Sequence, residues 1–244
     1  ARARKHPDTA GLRRESATKL GMLWPSKRTV STGIKALDEL IFGGVPQSYS
    51  LILVSPSCDQ RDLVVQSFIR EGVNDRKFTI CLTTDATKYL DLIRKYPRSF
   101  HVMFCNPQVD HSALSLPNVS KTAGIENLTE INIMLMKIVD SLDPTKLEEQ
   151  RAYIDILSDV LLYHGGPTTR RWISDLVLRL KAKGFTVLAG INSSMHRKEE
   201  TEIVTSVFDG EIEIFEKEIE GRTRKFMVIR RLYDRKHSDE EKTI

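Results

Sequence analysis

The chain has 244 residues, 40% hydrophobic and 29% charged, with a formal net charge of +4. That length and balance suit one ordinary soluble globular unit, able to bury a sizeable core without disulfides or metals. Three cysteines (Cys58, Cys81, Cys105) with no CxxC spacing argue against structural disulfides and zinc, and no apolar run nears the roughly 20 residues of a membrane span.

The charge is unevenly placed. Residues 1–28 hold eight Lys or Arg against Asp8 and Glu15, a balance of +6, which leaves the rest of the chain at about −2. Such an arm can contact nucleic acid or an acidic partner through phosphates or carboxylates, or serve as a solvated linker. It runs into polar residues, so no secretory leader is expected, and a reducing, cytoplasmic setting is the default.

Ser31-Thr32 followed by Ile34, Leu37, Leu40 and Ile41 predicts a capped helix, stopped by Gly43-Gly44-Val45-Pro46. Tyr49–Val54 is an apolar run of strand length, suited to burial on both faces. A helix follows over about 62–72. Phe78–Thr83 reads as strand, Tyr89, Leu92, Ile93 and Tyr96 as a helix face, and Phe100–Cys105 as strand. Leu128, Ile131, Leu135, Ile138 and Leu142 mark a long amphipathic helix. The stripe lasts only about two heptads, which suits a core-facing helix better than a coiled coil.

Arg151–Leu157 is expected as strand. A helix opened by Thr168 or Thr169 and closed at Gly184 should follow, then strand over Phe185–Ile191. Beyond it, Glu202–Phe208, Glu211–Phe215 and Arg224–Leu232 are strand-like runs joined by short turns, which predicts antiparallel hairpins. The whole reads as a βα-alternating core with a meander at its C-terminal edge. The expected organisation is a basic arm over 1–28, one domain over 29–238 and a polar tail over 239–244.

The segment 31–71, STGIKALDELIFGGVPQSYSLILVSPSCDQRDLVVQSFIRE, resembles the opening of KaiC-like and RadA-like members of the RecA superfamily. Those share the Ser-Thr-Gly-Ile start, the Leu-Asp-x-Leu helix, the Gly-Gly-Val-Pro turn and a buried strand before the phosphate loop. Arg151–Leu157 resembles the strand that carries the Walker B carboxylate, at Asp155. Residues 207–212 resemble the family's Ala-Asp-Gly-Val-Ile turn, and 224–238 its last strand. The resemblance covers about 29–238. It implies an α/β, RecA-like P-loop core: a mostly parallel sheet flanked by helices, with antiparallel strands at the C-terminus.

A working P-loop reads GxxxxGK[ST], in which glycines turn N–H groups to the phosphates, Lys neutralises them and a hydroxyl holds Mg²⁺. The matching stretch is Ser55-Pro56-Ser57-Cys58-Asp59-Gln60-Arg61-Asp62. The family's three glycines fall on Ser55, Cys58 and Gln60, its lysine on Arg61 and its Mg²⁺ hydroxyl on Asp62. A planar guanidinium cannot take the place of an ammonium beneath a tightly wrapped loop. Asp59 and Asp62 would each oppose phosphate charge by several kcal/mol at about 4 Å and an effective dielectric of ~20.

The resemblance further implies two adjacent catalytic glutamates, where this chain has Thr84-Asp85. It also implies a Lys-x-Arg-Gly-x-x-His element reaching a neighbouring subunit, where this chain reads Arg231-Leu232-Tyr233-Asp234-Arg235-Lys236-His237. Arg231, Lys236 and His237 remain as candidates for contacts across an interface. Asp155 then stands alone, as a vestige or a structural acceptor. The leading expectation is a non-hydrolysing regulatory or scaffold protein, acting by self-assembly or with an active KaiC-like paralogue, with no catalytic residue, no metal and no cofactor. One alternative is an ATP- and Mg²⁺-binding signalling ATPase that uses Arg61 for the lysine. Another is a recombination-accessory protein that holds DNA through the arm and the Arg230-Arg231/Arg235-Lys236 cluster.

Overall fold

The computed structural model describes residues 28–74, 76–106, 116–143, 145 and 147–244; the basic arm as far as residue 27 lies outside them. Thr29–Val30 (β1) pairs antiparallel with Val45–Pro46 (β2), and between them lies the helix Lys35–Leu40 (α1). The expected Ser-Thr cap works in reverse. The Asp38 carboxylate reaches back to accept from the Thr32 N–H at 2.8 Å and from the hydroxyls of Thr32 and Ser31 at 2.7 and 2.6 Å.

The alternation then unfolds in chain order: Ser50–Ser55 (β3), Asp59–Glu71 (α2), Lys77–Thr83 (β4), a 3-10 turn at Ala86–Tyr89, Leu90–Lys95 (α3), Phe100–Phe104 (β5) and Val119–Lys121 (β6). Leu128–Asp140 (α4), Glu149–Ile154 (β7), Leu157–His164 (α5), Gly166–Ala182 (α6), Phe185–Asn192 (β8) and Lys198–Thr205 (α7) follow. Gly210–Ile219 (β9), Arg222–Leu232 (β10) and Lys242–Thr243 (β11) end the chain.

These strands, apart from β1 and β2, form one nine-stranded sheet in the order β11-β10-β9-β3-β8-β7-β4-β5-β6. From β9 through β6 every neighbour is parallel; only β9-β10 and β10-β11 are antiparallel. Successive residues of each central strand serve opposite layers. Ile52 and Val54 pack with Ile131, Leu135, Trp172 and Leu176 of α4 and α6; Leu51 and Leu53 pack with Leu37, Val65, Phe68 and Ile93 of α1, α2 and α3. Both faces are therefore covered, as an unbroken apolar strand demands. Each such side chain contributes roughly 1.5–3 kcal/mol of burial.

The α/β architecture, the parallel core and the antiparallel C-terminal strands agree with expectation, but several local readings change. Glu202–Phe208 is not a strand: 202–205 complete α7. Glu200 accepts from the Arg197 N–H at 3.1 Å to start that helix, Val204 and Thr205 are its buried residues, and 206–208 form the turn that follows. The β-branched run there masks a helix whose packing outweighs its propensity. Arg151–Leu157 divides, with the strand ending at Ile154 and α5 starting at Leu157. Gly165, at φ 73°, separates α5 from α6, so α6 opens at Gly166 rather than at Thr168 or Thr169. Helix α2 begins at Asp59, three residues before the expected start. The last six residues include β11 on the edge of β10, and Ile244 packs against the core.

Candidate functional site: the strand ends around Asp155

In an open parallel sheet, ligands bind in the crevice beyond the carboxyl ends of the strands. Four such ends meet here: β3 at Ser55, β4 at Thr83, β7 just before Asp155 and β8 at Asn192. The crevice is crossed by bonds between its own residues. Ser193 N–H donates to the Ser55 carbonyl at 3.0 Å, and the Asn192 amide donates to Ser57 Oγ at 2.9 Å. The Ser55 hydroxyl turns to the Pro56 carbonyl at 2.7 Å and lies 3.7 Å from Cys58 Sγ. Cys58 is extended, at φ −162°, and caps α2 without a side-chain bond. No residue of Ser55–Asp62 has a positive φ; in the described residues that conformation falls elsewhere. The loop thus follows a path open to ordinary side chains, as its lack of glycine requires.

Arg61, on the first turn of α2, points into the crevice. Its Nη2 lies 3.3 Å from Asp155 Oδ1, with the two side chains only 13% and 14% exposed. The same Oδ1 accepts from the Tyr153 hydroxyl at 2.8 Å, and Oδ2 accepts from Thr83 at 3.2 Å. Burial opposes the charge on Arg61, but Tyr153 and Asp155 outweigh it and hold its pKa above the usual value. Burial also pushes the Tyr153 phenol well above its usual range, so it stays protonated and donates. Arg61 and Asp155 thus neutralise one another. Asp59 and Asp62 sit in the first turn of α2, where carboxylates favour the helix dipole. Gln60 Oε1 is buried without a hydrogen-bond partner among the described residues.

Thr84 and Asp85 part company. The Thr84 hydroxyl donates to Asp159 Oδ2 at 3.0 Å, on the first turn of α5. Asp85 instead caps the 3-10 turn, accepting from the Thr87 N–H at 3.0 Å and also from the Thr87 hydroxyl. Burial raises the pKa of Asp159 and the nearby Asp155 adds to this, against the Thr84 hydrogen bond, Arg61 and His196. Burial lowers that of His196, whose Nε2 is buried without a partner among the described residues. Among the described residues no three His, Cys, Asp or Glu side chains are grouped to hold one metal ion.

The three residues expected at an interface lie apart from this cluster. Arg231 is held within its own subunit: Nη2 donates to the carbonyls of Thr205 at 2.8 Å and Phe208 at 3.3 Å, and the guanidinium lies 4.9 Å from the Tyr233 ring centroid. Lys236 is exposed, and His237 faces Asp239 at 3.4 Å. Of the neighbouring cations, Arg230 is paired with Glu213.

Sequence reasoning singled out Asp155 and Arg61 but not Tyr153, Thr83, Asp159 or Gly190. Tyr153 sits two residues before Asp155 on the same strand face, and that period was the one available signal. Gly190 is opposed by nothing in the sequence; only the sheet order brings it beside Tyr153.

Residues 30–244 match the family model described as KaiC ATPase. Comparison with curated proteins gives no match. Among solved structures the fold is similar to the crystal structure of a KaiC-like protein, PH0186, from the hyperthermophilic archaeon Pyrococcus horikoshii OT3. The TM-score is 0.62 at 17% identity, over 88% of this chain and 94% of that one. Among the described residues no helix is long and apolar enough to cross a membrane. With the parallel core, the strand-end carboxylate and a family match over nearly the whole chain, the protein belongs to the KaiC ATPase family.

Proposed function

We propose that this chain is a non-hydrolysing member of the family, acting as a regulatory or scaffold subunit in an assembly with itself or with an active KaiC-like paralogue. The observation that carries this reading is the closed Arg61–Asp155 pair, with Tyr153 and Thr83 completing the carboxylate's hydrogen bonds. Three further positions support it. Asp62 replaces the Mg²⁺ hydroxyl, Asp85 is spent on a turn cap, and Thr84 on Asp159. Mg–ATP in the family's usual pose would need Asp155 freed and two first-turn carboxylates set against phosphate, and these residues do not fit that group. The fold does not depend on the chemistry, so it can persist as an assembly surface.

Two measurements test the reading. Phosphate release from ATP with Mg²⁺ should stay at the blank rate, and sedimentation velocity should show concentration-dependent self-association or association with an active family member. Turnover sensitive to Arg61→Ala would sink the non-hydrolysing part. A monomer that stays monomeric at every concentration and ignores an active relative would sink the scaffold part.

A further inference from the structure

The pair at the strand ends needs room, and Gly190 of β8 supplies it. On β8, Gly190 faces the crevice, and a Cβ built there would lie 2.9 Å from the Tyr153 hydroxyl and 3.0 Å from Arg61 Nη2. Both groups therefore rest against a bare Cα. Its φ lies outside the positive range, so the backbone does not require glycine there. The need is steric, and it comes from the two groups that hold Asp155.

We propose that Gly190 is the positioning residue that sets whether the crevice is closed: its missing side chain lets Arg61 and Tyr153 converge on Asp155. This deepens the reading of the site as closed and rests on it. The two contacts differ in how they can yield. The Tyr153 ring is buried in the core that also holds Leu53, Cys81 and Leu188, so its hydroxyl, at 2.9 Å the closer contact, can shift only slightly. The guanidinium is the far end of a flexible chain on α2 and gives way first. A methyl group at position 190 evicts Arg61 from Asp155 and leaves the carboxylate to Thr83 and Tyr153. The crevice is then open, with an unpaired carboxylate at its floor. Closure is thus a three-element contact, with the cation from α2, the acceptor and its phenol from β7, and the space from β8.

A coupling measurement tests this without any nucleotide. In the otherwise native chain, Gly190→Ala should lower Tm by about 5 °C, as overpacking does. In a chain carrying Arg61→Ala and Tyr153→Phe, where both contacting groups are gone, the same substitution should shift Tm by no more than about 1 °C. Phenylglyoxal labelling followed by peptide mass spectrometry should leave Arg61 unmodified in the native chain and modify it in Gly190→Ala. Equal Tm losses in both backgrounds, failure to fold in both, or an Arg61 equally protected in Gly190→Ala would overturn the proposal. Should the native chain bind Mg–ATP while the coupling holds, the functional reading falls and this inference stands. Lost coupling with no nucleotide binding gives the reverse.

Discussion

Strand β7 carries an arginine–carboxylate pair at each end, and the two do different work. At its start Arg151, fully buried, pairs with Glu149, donates to the carbonyls of Phe68 at 3.1 Å and Ser31 at 2.7 Å, and lies over the Phe68 ring at 4.8 Å. Glu149 is shared with Lys77 at 3.3 Å, and Lys77 also reaches Glu71 at 3.0 Å. This pair ties the N-terminal segment, α2 and two strands into one enclosed knot. At the other end Asp155 meets Arg61 with a single 3.3 Å contact, where the sheet leaves its crevice. The first pair is enclosed by backbone acceptors. The second stands in the crevice beyond the strand ends, where open parallel sheets bind ligands. An ion pair is a staple or a plug according to what surrounds it, not according to its residue types.

The difference can be broken from the larger end first. Arg151→Ala leaves Glu149 beside Lys77 alone and strips donors from the buried Phe68 carbonyl and the Ser31 carbonyl, so urea unfolding should show a loss of roughly 3–5 kcal/mol. A loss below about 1 kcal/mol would remove the contrast. Arg61→Ala leaves Asp155 hydrogen-bonded to Tyr153 and Thr83 in a less enclosed site, and should cost roughly 2–3 kcal/mol. Adding Asp155→Asn should recover much of that, whereas no such recovery is expected from Glu149→Gln in the Arg151→Ala chain, because Lys77 then loses one of its two carboxylate partners.

A smaller effect sharpens the crevice end. Asp85→Ala should cost about 1 kcal/mol as the loss of a cap, with the Arg61–Asp155 coupling energy unchanged in a double-mutant cycle. The smallest effect is pH-linked. The pKa of Asp159 is raised in the folded chain, first by burial, so its protonated form favours folding. That contribution is fully present below the unfolded carboxylate value and is lost as pH rises through the folded one. Asp159→Asn should therefore gain stability at neutral pH and none at acid pH; an equal gain at both would contradict the burial argument.

Much of this could be read from the chain, and the boundary of legibility has a physical cause. The βα alternation, the buried YSLILV strand and the Gly43–Pro46 turn place the altered loop, and Asp155 follows from its strand. These are properties of contiguous residues. The partner of Arg61 is not, because α2, β7 and β8 meet only through the sheet order. Nor is the room at Gly190, which exists only once β7-β8 pairing, with Tyr153 against Leu188, brings the Tyr153 hydroxyl beside it. Arg151 reads in sequence as one residue of a strand, because its acceptors come from Phe68 and Ser31, far away in the chain. Glu202–Phe208 reads as strand because Ile203, Val204 and Thr205 favour strands locally, yet residues 202–205 close α7 and 206–208 form the turn after it. The turn at Asp209 was recognised by resemblance, yet its carboxylate acts as a staple, accepting from the Ser50 N–H at 2.8 Å and the Ser50 hydroxyl at 2.7 Å.

The central claim is that the crevice is closed by its own side chains, and equilibrium dialysis of the purified wild-type chain against labelled ATP with Mg²⁺ tests it most directly. No saturable binding is expected up to millimolar nucleotide. One nucleotide bound per chain in the micromolar range, and lost with Arg61→Ala, would contradict it and make Arg61 a phosphate ligand instead of a plug.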